Sequence, residues 1–497
     1  MEVMGEDGIS KALEEILPRI RWWPWRGVRK EIRVDVLEES EHGILVFFSV
    51  DNYVFQLPLA PIDNVPEKLA DRVIKYRGKY WVEAEYTTKY LELMDSIDGV
   101  KAEDFAVIEG KVIEAEPVDL ETTTNAVARY KLSSGLELVV KSYRILPELG
   151  IEPLMLTKLV RENFAFIPKL YRVYSYVLKG KKLYLSLVTQ RAGRGEDGGA
   201  PFVERLKGYF SDLSKGVKRG IQYSLLLKHA LKLGGIIADM HVKLNPGEST
   251  GFFGLEPITE SDISAWHRRI ERRIRVINER LDELIAKSKG HIRNAYEYWQ
   301  SFFNGRARRE AVERAIADLD LFVDTYKGRT HQDLHLKQMV YVQESGSFII
   351  TDFEGEPLRT DEERYMKEPL VRDLATMATS YYYLVFDVYK NIVGKPLYSI
   401  AHKIVKQKFP FIWEWASRHS LYTVLKYSYL TSPQKLGYDL FGYKDKPLTK
   451  FYFLYVPVWI VERALYEIEY ELHYRPEWFV VPLSCLVHLP IPFYPRK

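Results

Sequence analysis

The chain has 497 residues, more than one hydrophobic core ordinarily organises, so two or three domains are expected. Apolar residues make up 46% and charged residues 28%, and the net charge is only +3; this describes a globular protein without the global field of a nucleic-acid or anionic-membrane binder. The single cysteine, Cys485, excludes an internal disulfide framework and suits a reducing cytoplasm, and MEVMGEDGISKALEEILP lacks the apolar stretch of a signal peptide.

Residues 26–116 alternate apolar and polar in short runs (EIRVDVLEE, GILVFFSVD, YVFQLPLA, YWVEAEYT, FAVIEGKVIEAE) separated by turn residues, which predicts a mostly β module with some helix. Two further β runs follow, ARYKLSS and LELVVKSYR, joined by a Ser-Gly turn. Next come an apolar helix over PLMLTKLVREN and the pair YRVYSYVLKG and KKLYLSLVTQ, closing near the glycine-rich GRGEDGGAP at 193–201. From about residue 202 the period becomes helical. A long stretch from Asp262 to Trp299 carries Ile270, Ile274, Ile277, Leu281 and Leu284 as one stripe, with HRRIERRIR expected as a solvated face. The apolar windows at 451–461 and 479–494 are too short or too broken by proline to span a bilayer, and are expected in the core. The expected division is a cap subdomain over 1–116, a small β-rich lobe over 117–200 and a helical lobe over 201–497.

The helical part contains THQDLHLKQMVYVQESGSFIITDFEGEP, residues 330–357. Phosphoryl transfer needs a carboxylate to orient the attacking hydroxyl, hard oxygen donors for magnesium, and a cation on the nucleotide phosphates. In kinase-like folds the first two sit on a loop of pattern H-x-D-x(4)-N followed by a strand ending in Asp. Residues 331–338 reproduce that spacing, with Asp333 as the base and Gln338 in the amide position. QMVYV and SFIIT then alternate as a hairpin, and Asp352 follows directly. Gln338 and Asp352 are the expected magnesium ligands, and Glu354 is in reach of a direct or supporting metal role. His331 and His335 lack a third ligand nearby, which argues against zinc.

The same chemistry demands a lysine on a strand of the small lobe, and LELVVKSYR supplies Lys141 after an apolar run. Thr124 and Asn125 fall where a phosphate-covering turn would lie, although no glycine is present there. Kinases pair this lysine with a helix glutamate, but Leu154 and Met155 occupy the expected positions. Either Glu152 reaches Lys141 from the helix start or the ion pair is absent.

These blocks resemble the maltokinases, a family of sugar kinases related to aminoglycoside phosphotransferases and to actinobacterial glucosamine kinases. The resemblance is carried by H-x-D-x-H-L-x-Q, D-F-E-G-E-P and PLVRDLATMATSYYY (369–383), together with LPRIRWWPWRG (17–27), GEDGGAPFVERL, and ALYEIEYELHYRPEWFVVPL (464–483). It implies an α+β, bilobal protein-kinase-like fold with a β-rich N-lobe, a mainly helical C-lobe and a β-rich N-terminal cap. It also implies ATP and Mg2+ as cofactors, and phosphorylation of maltose at its anomeric hydroxyl. Glucosamine or another monosaccharide is the alternative acceptor, and a pseudokinase binding module the alternative without turnover. By the same resemblance the adenine lies near Val188, Thr189 and Gln190, and the sugar lies against Tyr466, Glu467, Tyr470 and Glu471. The spacing of those four puts them on one side of a helix, where carboxylates accept sugar hydroxyls and rings stack on sugar faces; core tyrosines are the competing reading. His241 resembles a sugar-side histidine, with a buried helix histidine as the alternative. The expected partners are a sugar and ATP, with no nucleic acid and no membrane, and with contact to a maltose-supplying enzyme through the cap. Two positions depart from the family, Gln332 and Lys337, each standing where glycine is usual.

Overall fold

The computed structural model describes residues 3–118, 120, 124–146, 149–192, 196–399, 401–402, 410–442 and 451–492. Residues 193–195 of the glycine-rich run, and Glu121, Thr122 and Thr123 ahead of Thr124, lie outside the described residues. The chain divides into two compact units, 1–160 with 167–193, and 161–166 with 194–497.

The first unit is built on two antiparallel sheets. Five strands run in the order Arg33–Ser40, Gly43–Val50, Tyr53–Ile62, Lys79–Glu83, Ile74–Tyr76. GILVFFSV is apolar on both faces because both are covered. Ile44, Val46 and Phe48 face a cluster with Ile9, Leu13, Trp22 and Trp23, and on the other face the Phe47 ring lies 4.5 Å from Tyr176 of the second sheet. That sheet has six strands, ordered Val100–Asp104, Leu170–Leu178, Lys181–Gln190, Glu137–Ser142, Ala126–Leu132, Val112–Pro117. Its two edge strands come from within the first 117 residues.

The two sheets are joined by buried charge. Arg144, fully buried just beyond the strand that carries Lys141, donates to Glu83 at 2.9 Å and to Glu85 at 2.7 Å. Glu83 also accepts from Trp22 Nε1 at 2.7 Å and from Arg72 at 2.9 Å. Buried arginine and carboxylates are tolerable only because each satisfies the other.

In the second unit the helix Val371–Val393 is buried along most of its length and packs against Ala200–Ser214, Pro410–Leu430 and Val456–Tyr474. Helix Leu227–Leu244 packs on Pro410–Leu430 where Gly234 permits close approach: a Cβ there would stand 2.2 Å from the Thr423 carbonyl oxygen. The helical stretch after Asp262 is two helices, Glu260–Lys287 and Gly290–Phe303, the first opened by a Thr259–Asp262 capping box. Ile270, Ile277 and Leu281 are buried as the stripe predicts, but HRRIERRIR is not wholly a solvated face. Arg269 and Arg273 on it are also buried, drawn inward by Glu368 and Glu462. Met339–Val342 and Ser347–Ile350 form the expected hairpin, extended by Glu196–Asp197 into a three-stranded sheet. No helix among the described residues is long and apolar enough to cross a membrane.

Replacing Arg144 by methionine leaves Glu83 and Glu85 without their main counter-charge, and should cost the first unit about 3–5 kcal/mol. Equilibrium denaturant unfolding of the full chain, followed by tryptophan fluorescence, should register a lower midpoint; an unchanged midpoint would refute a structural role for the cluster.

Candidate active site

In the first unit Lys141 Nζ lies 2.7 Å from Glu152 Oε2, and the Tyr143 hydroxyl donates to the same oxygen at 2.8 Å. Glu152 is the second residue of the helix Ile151–Arg161 and is almost fully buried. The carboxylate absent from positions 154 and 155 therefore comes from the start of the first turn. Asn125 Oδ1 accepts from the Arg144 backbone N–H at 3.2 Å, and Thr124 is exposed. Val188 is buried in register with Val140, Thr189 Oγ1 donates to the Val139 carbonyl at 3.4 Å, and Gln190 ends the strand with its side chain exposed.

In the second unit the loop 331–338 is fixed from below by one buried carboxylate. Asp373 accepts from the backbone N–H of His331 at 2.8 Å and of Gln332 at 3.0 Å. It also bonds Nε2 of the fully buried His241 at 2.9 Å, whose Nδ1 meets the Tyr427 hydroxyl at 2.7 Å. His241 thus acts on the loop through Asp373. The His331 ring contacts the Thr351 carbonyl at 3.0 Å and accepts from the Asp333 N–H at 3.3 Å, tying the loop to the end of the hairpin.

Gln332 has φ +68°, a left-handed conformation that glycine adopts most readily. A non-glycine residue held there costs on the order of 1 kcal/mol. The Gln332 amide offsets this by donating to the carbonyls of Arg364 and Met366 at 2.9 and 3.0 Å. Asp352, with φ +61°, is a second left-handed residue, at the hairpin's end.

Asp333 is 5% exposed, with Arg463 Nη2 2.9 Å from Oδ1 and His335 Nε2 3.5 Å from Oδ2. Burial alone would raise its pKa; His335, Arg463 and His331 outweigh that and hold the carboxyl well below the usual carboxylate range. Asp333 therefore stays ionised, suited to orienting a hydroxyl and taking its proton late. Gln338 Nε2 donates to Asp352 Oδ2 at 2.9 Å, which leaves the Gln338 carbonyl oxygen as a donor to a cation. Carboxylate oxygens of Asp352 and Glu354 lie within 4.8 Å of each other. Three neighbouring hard oxygen donors fit magnesium.

Arg463, which the sequence reading did not single out, joins Asp333 to Glu356 and to Glu467. Glu356 is completely buried and also accepts from Arg359 and Arg372, so it is part of an ionic lattice and not a metal ligand.

Beside His335 is a cavity of about 240 Å3. Its polar lining includes Asp197, Ser380, Asp387 and Glu467, and Tyr383 and Trp478 give it aromatic walls. Of the four predicted sugar-side residues on helix Val456–Tyr474, Glu467 lines this cavity. Tyr466 is buried, its hydroxyl accepting from the Leu358 N–H at 3.3 Å. Tyr470 stacks against Tyr466 with ring centroids 6.3 Å apart, and Glu471 is buried against Arg475 at 2.6 Å. Asp197, Asp387 and Trp478 were not singled out from sequence. Trp478 lies within the R-P-x-W block and Asp387 shortly after PLVRDLATMATSYYY, so proximity to those blocks was the available signal.

No known family profile matches the chain. Over 151 residues it is 26% identical to a glucosamine kinase of Streptacidiphilus jiangxiensis, a stretch covering 30% of this chain and 29% of that protein's length. A solved glucosamine kinase structure matches over 97% of this chain and 99% of its own, with TM-score 0.62 and 19% identity. Glucosamine kinase in complex with glucosamine, ADP and inorganic phosphate matches over 97% and 98%, with TM-score 0.60 and 18% identity. The fold is kinase-like. It is the α+β, two-lobed architecture of these phosphotransferases.

Gln332→Gly should preserve the fold and the loop, whereas Gln332→Val, β-branched and unable to donate, should distort it; amide exchange over 330–338 distinguishes them, and a protected loop in the valine variant would contradict the account. Burial pushes Glu471 up to about 7, against the opposing pull of Arg475. The folded chain then keeps a proton that the unfolded chain releases above the ordinary glutamate value, so this residue's contribution falls as pH rises towards about 7. Glu471→Gln should flatten stability over that window; an unaltered pH dependence would contradict the assignment.

Proposed function

We propose that this protein is an ATP- and magnesium-dependent sugar kinase whose acceptor is a single-ring amino sugar of the glucosamine kind. The observation that carries the reading is the pairing of a buried Asp333, held ionised, with a small cavity lined by its neighbour His335. About 240 Å3 falls just below the usual range for ligand pockets, and suits one pyranose ring better than two. Asp197, Asp387 and Glu467 supply acceptors for hydroxyls and negative charge for an ammonium group, and Trp478 offers a stacking face. The glucosamine kinase likeness in fold supports the same class. Maltose is the second reading, favoured by the blocks at 17–27 and 464–483.

In this mechanism Asp333 orients the acceptor hydroxyl and receives its proton as the phosphoryl group departs from the nucleotide. Arg463 holds Asp333 in place and keeps it charged. Magnesium, when bound by Gln338 and Asp352 with Glu354 beside them, supplies charge neutralisation on the phosphates. Lys141, steadied by Glu152, adds a further cation, and Val188, Thr189 and Gln190 form the adenine strand. Thr124 and Asn125 lie ahead of Lys141 as the phosphate-side turn.

Asp333→Asn should lower the transfer rate by about 100-fold or more while ADP affinity stays near that of the parent. Initial rates with glucosamine, glucose and maltose should rank glucosamine first. Full activity in Asp333→Asn would overturn the role of Asp333, and a preference for maltose would overturn the single-ring acceptor.

A further inference from the structure

The second unit holds another cavity, of about 310 Å3, that shares no lining residue with the one beside His335. Four cationic side chains line it, and three are matched by carboxylates. Lys327 meets Asp262 at 2.6 Å, Lys367 meets Glu256 at 2.8 Å, and Arg269 meets Glu368 at 2.7 Å. Glu363, also in the lining, turns to Arg272 at 3.5 Å and to the Thr360 N–H.

Arg329 is the exception. It is 1% exposed, and among the described residues no carboxylate lies within 4.0 Å of it. Its guanidinium donates only to backbone carbonyls, those of Phe252 at 3.2 Å, Tyr365 at 2.7 Å, Arg364 at 3.3 Å and Met366 at 3.4 Å. It lies 3.8 Å from the centre of the Phe252 ring. A buried charge without a carboxylate in contact is costly, and here burial pulls the arginine down to about 10 against the opposing pull of Tyr365, Glu256 and Glu368. The unmatched cation borders open space whose other walls are the rings of Phe252, Trp266 and Tyr365. Arg329 is the lining cation without a carboxylate in contact, and the rings offer a stacking surface for a sugar or a base.

We propose that this cavity is a second ligand site, for a small ring-bearing organic phosphate, with Arg329 as the phosphate's main partner, Lys367 beside it and the aromatic walls against the ring. The site adjoins the active loop. Gln332 donates to the same Arg364 and Met366 carbonyls that Arg329 holds, and Arg329 precedes Asp333 by four positions. A ligand that drew the guanidinium away from those carbonyls would act on the loop through Gln332.

Calorimetric titration of the full chain, with its nucleotide site saturated by ADP, tests the site with three probes: a hexose 6-phosphate, a nucleoside monophosphate and orthophosphate. The proposal expects at least one ring-bearing phosphate to bind more tightly than orthophosphate, and the preferred probe identifies whether sugar or base is taken. Arg329→Met should weaken that binding about 10–100-fold, the loss expected for charge-assisted hydrogen bonds. Ala265→Phe fills the cavity without removing any charge and should abolish binding while leaving ADP affinity intact, so it decides the matter alone if Arg329→Met does not fold. Asp333→Asn should bind the probe as the parent does. No binding of any probe at millimolar concentration, or equal binding by the parent and Ala265→Phe, would overturn the proposal.

Discussion

The carboxylate of Glu356, buried without exposure and held by Arg359, Arg372 and Arg463, is the interaction on which the second unit's chemistry depends. Isolated, it would pay a desolvation cost of several kcal/mol, and so would each arginine. Together they form a lattice in which arginines and carboxylates alternate: Arg359 continues to Glu368, Glu368 to Arg269, and Arg269 to Glu462. Through Arg463 the lattice ends at Asp333. The helices Glu260–Lys287 and Val456–Tyr474 and the segment after Asp352 are thereby referred to one set of charges, and that set supplies Asp333 with Arg463, one of the groups that keep it ionised beside His335.

A second buried carboxylate works from the opposite side. Asp373 opens the central helix and spends its oxygens on the backbone of His331 and Gln332 and on the His241 ring. This turns a rigid helix into a template for a loop that includes a left-handed non-glycine residue. The strain at Gln332 is tolerable because its backbone N–H and its side-chain NH2 group are both engaged. In the first unit Arg144 does comparable work, joining the five-stranded sheet to the strand that carries Lys141. The same physical device, a buried ion cluster at a junction of elements, serves both units.

The parts readable in the sequence were those encoded locally. The alternation in QMVYV and SFIIT gave the hairpin, and its end fixed where Asp352 would stand. The spacing 331–338 put Asp333 and Gln338 on one loop, and Gln338 does meet Asp352. What escaped depends on partners far along the chain. Arg269 and Arg273 look solvated in HRRIERRIR because the carboxylates that draw them inward lie at 368 and 462. Arg463 is one charge among several on a helix until Asp333 and Glu356 are brought to it. Asp197, Ser380 and Asp387 converge on the cavity beside His335 only through tertiary packing. The edge strands Val100–Asp104 and Val112–Pro117 are half-exposed, and their alternation does not say which sheet they join.

The proposed transfer of a phosphoryl group from ATP to a sugar hydroxyl at Asp333 can be followed by phosphorus NMR of the full chain with ATP, magnesium and glucosamine. The γ-phosphorus resonance should disappear with matching growth of ADP and a sugar phosphate ester, and neither change should occur when the sugar is withheld. Release of inorganic phosphate alone, or an unchanged ATP spectrum with glucosamine and with every other sugar supplied, would contradict it.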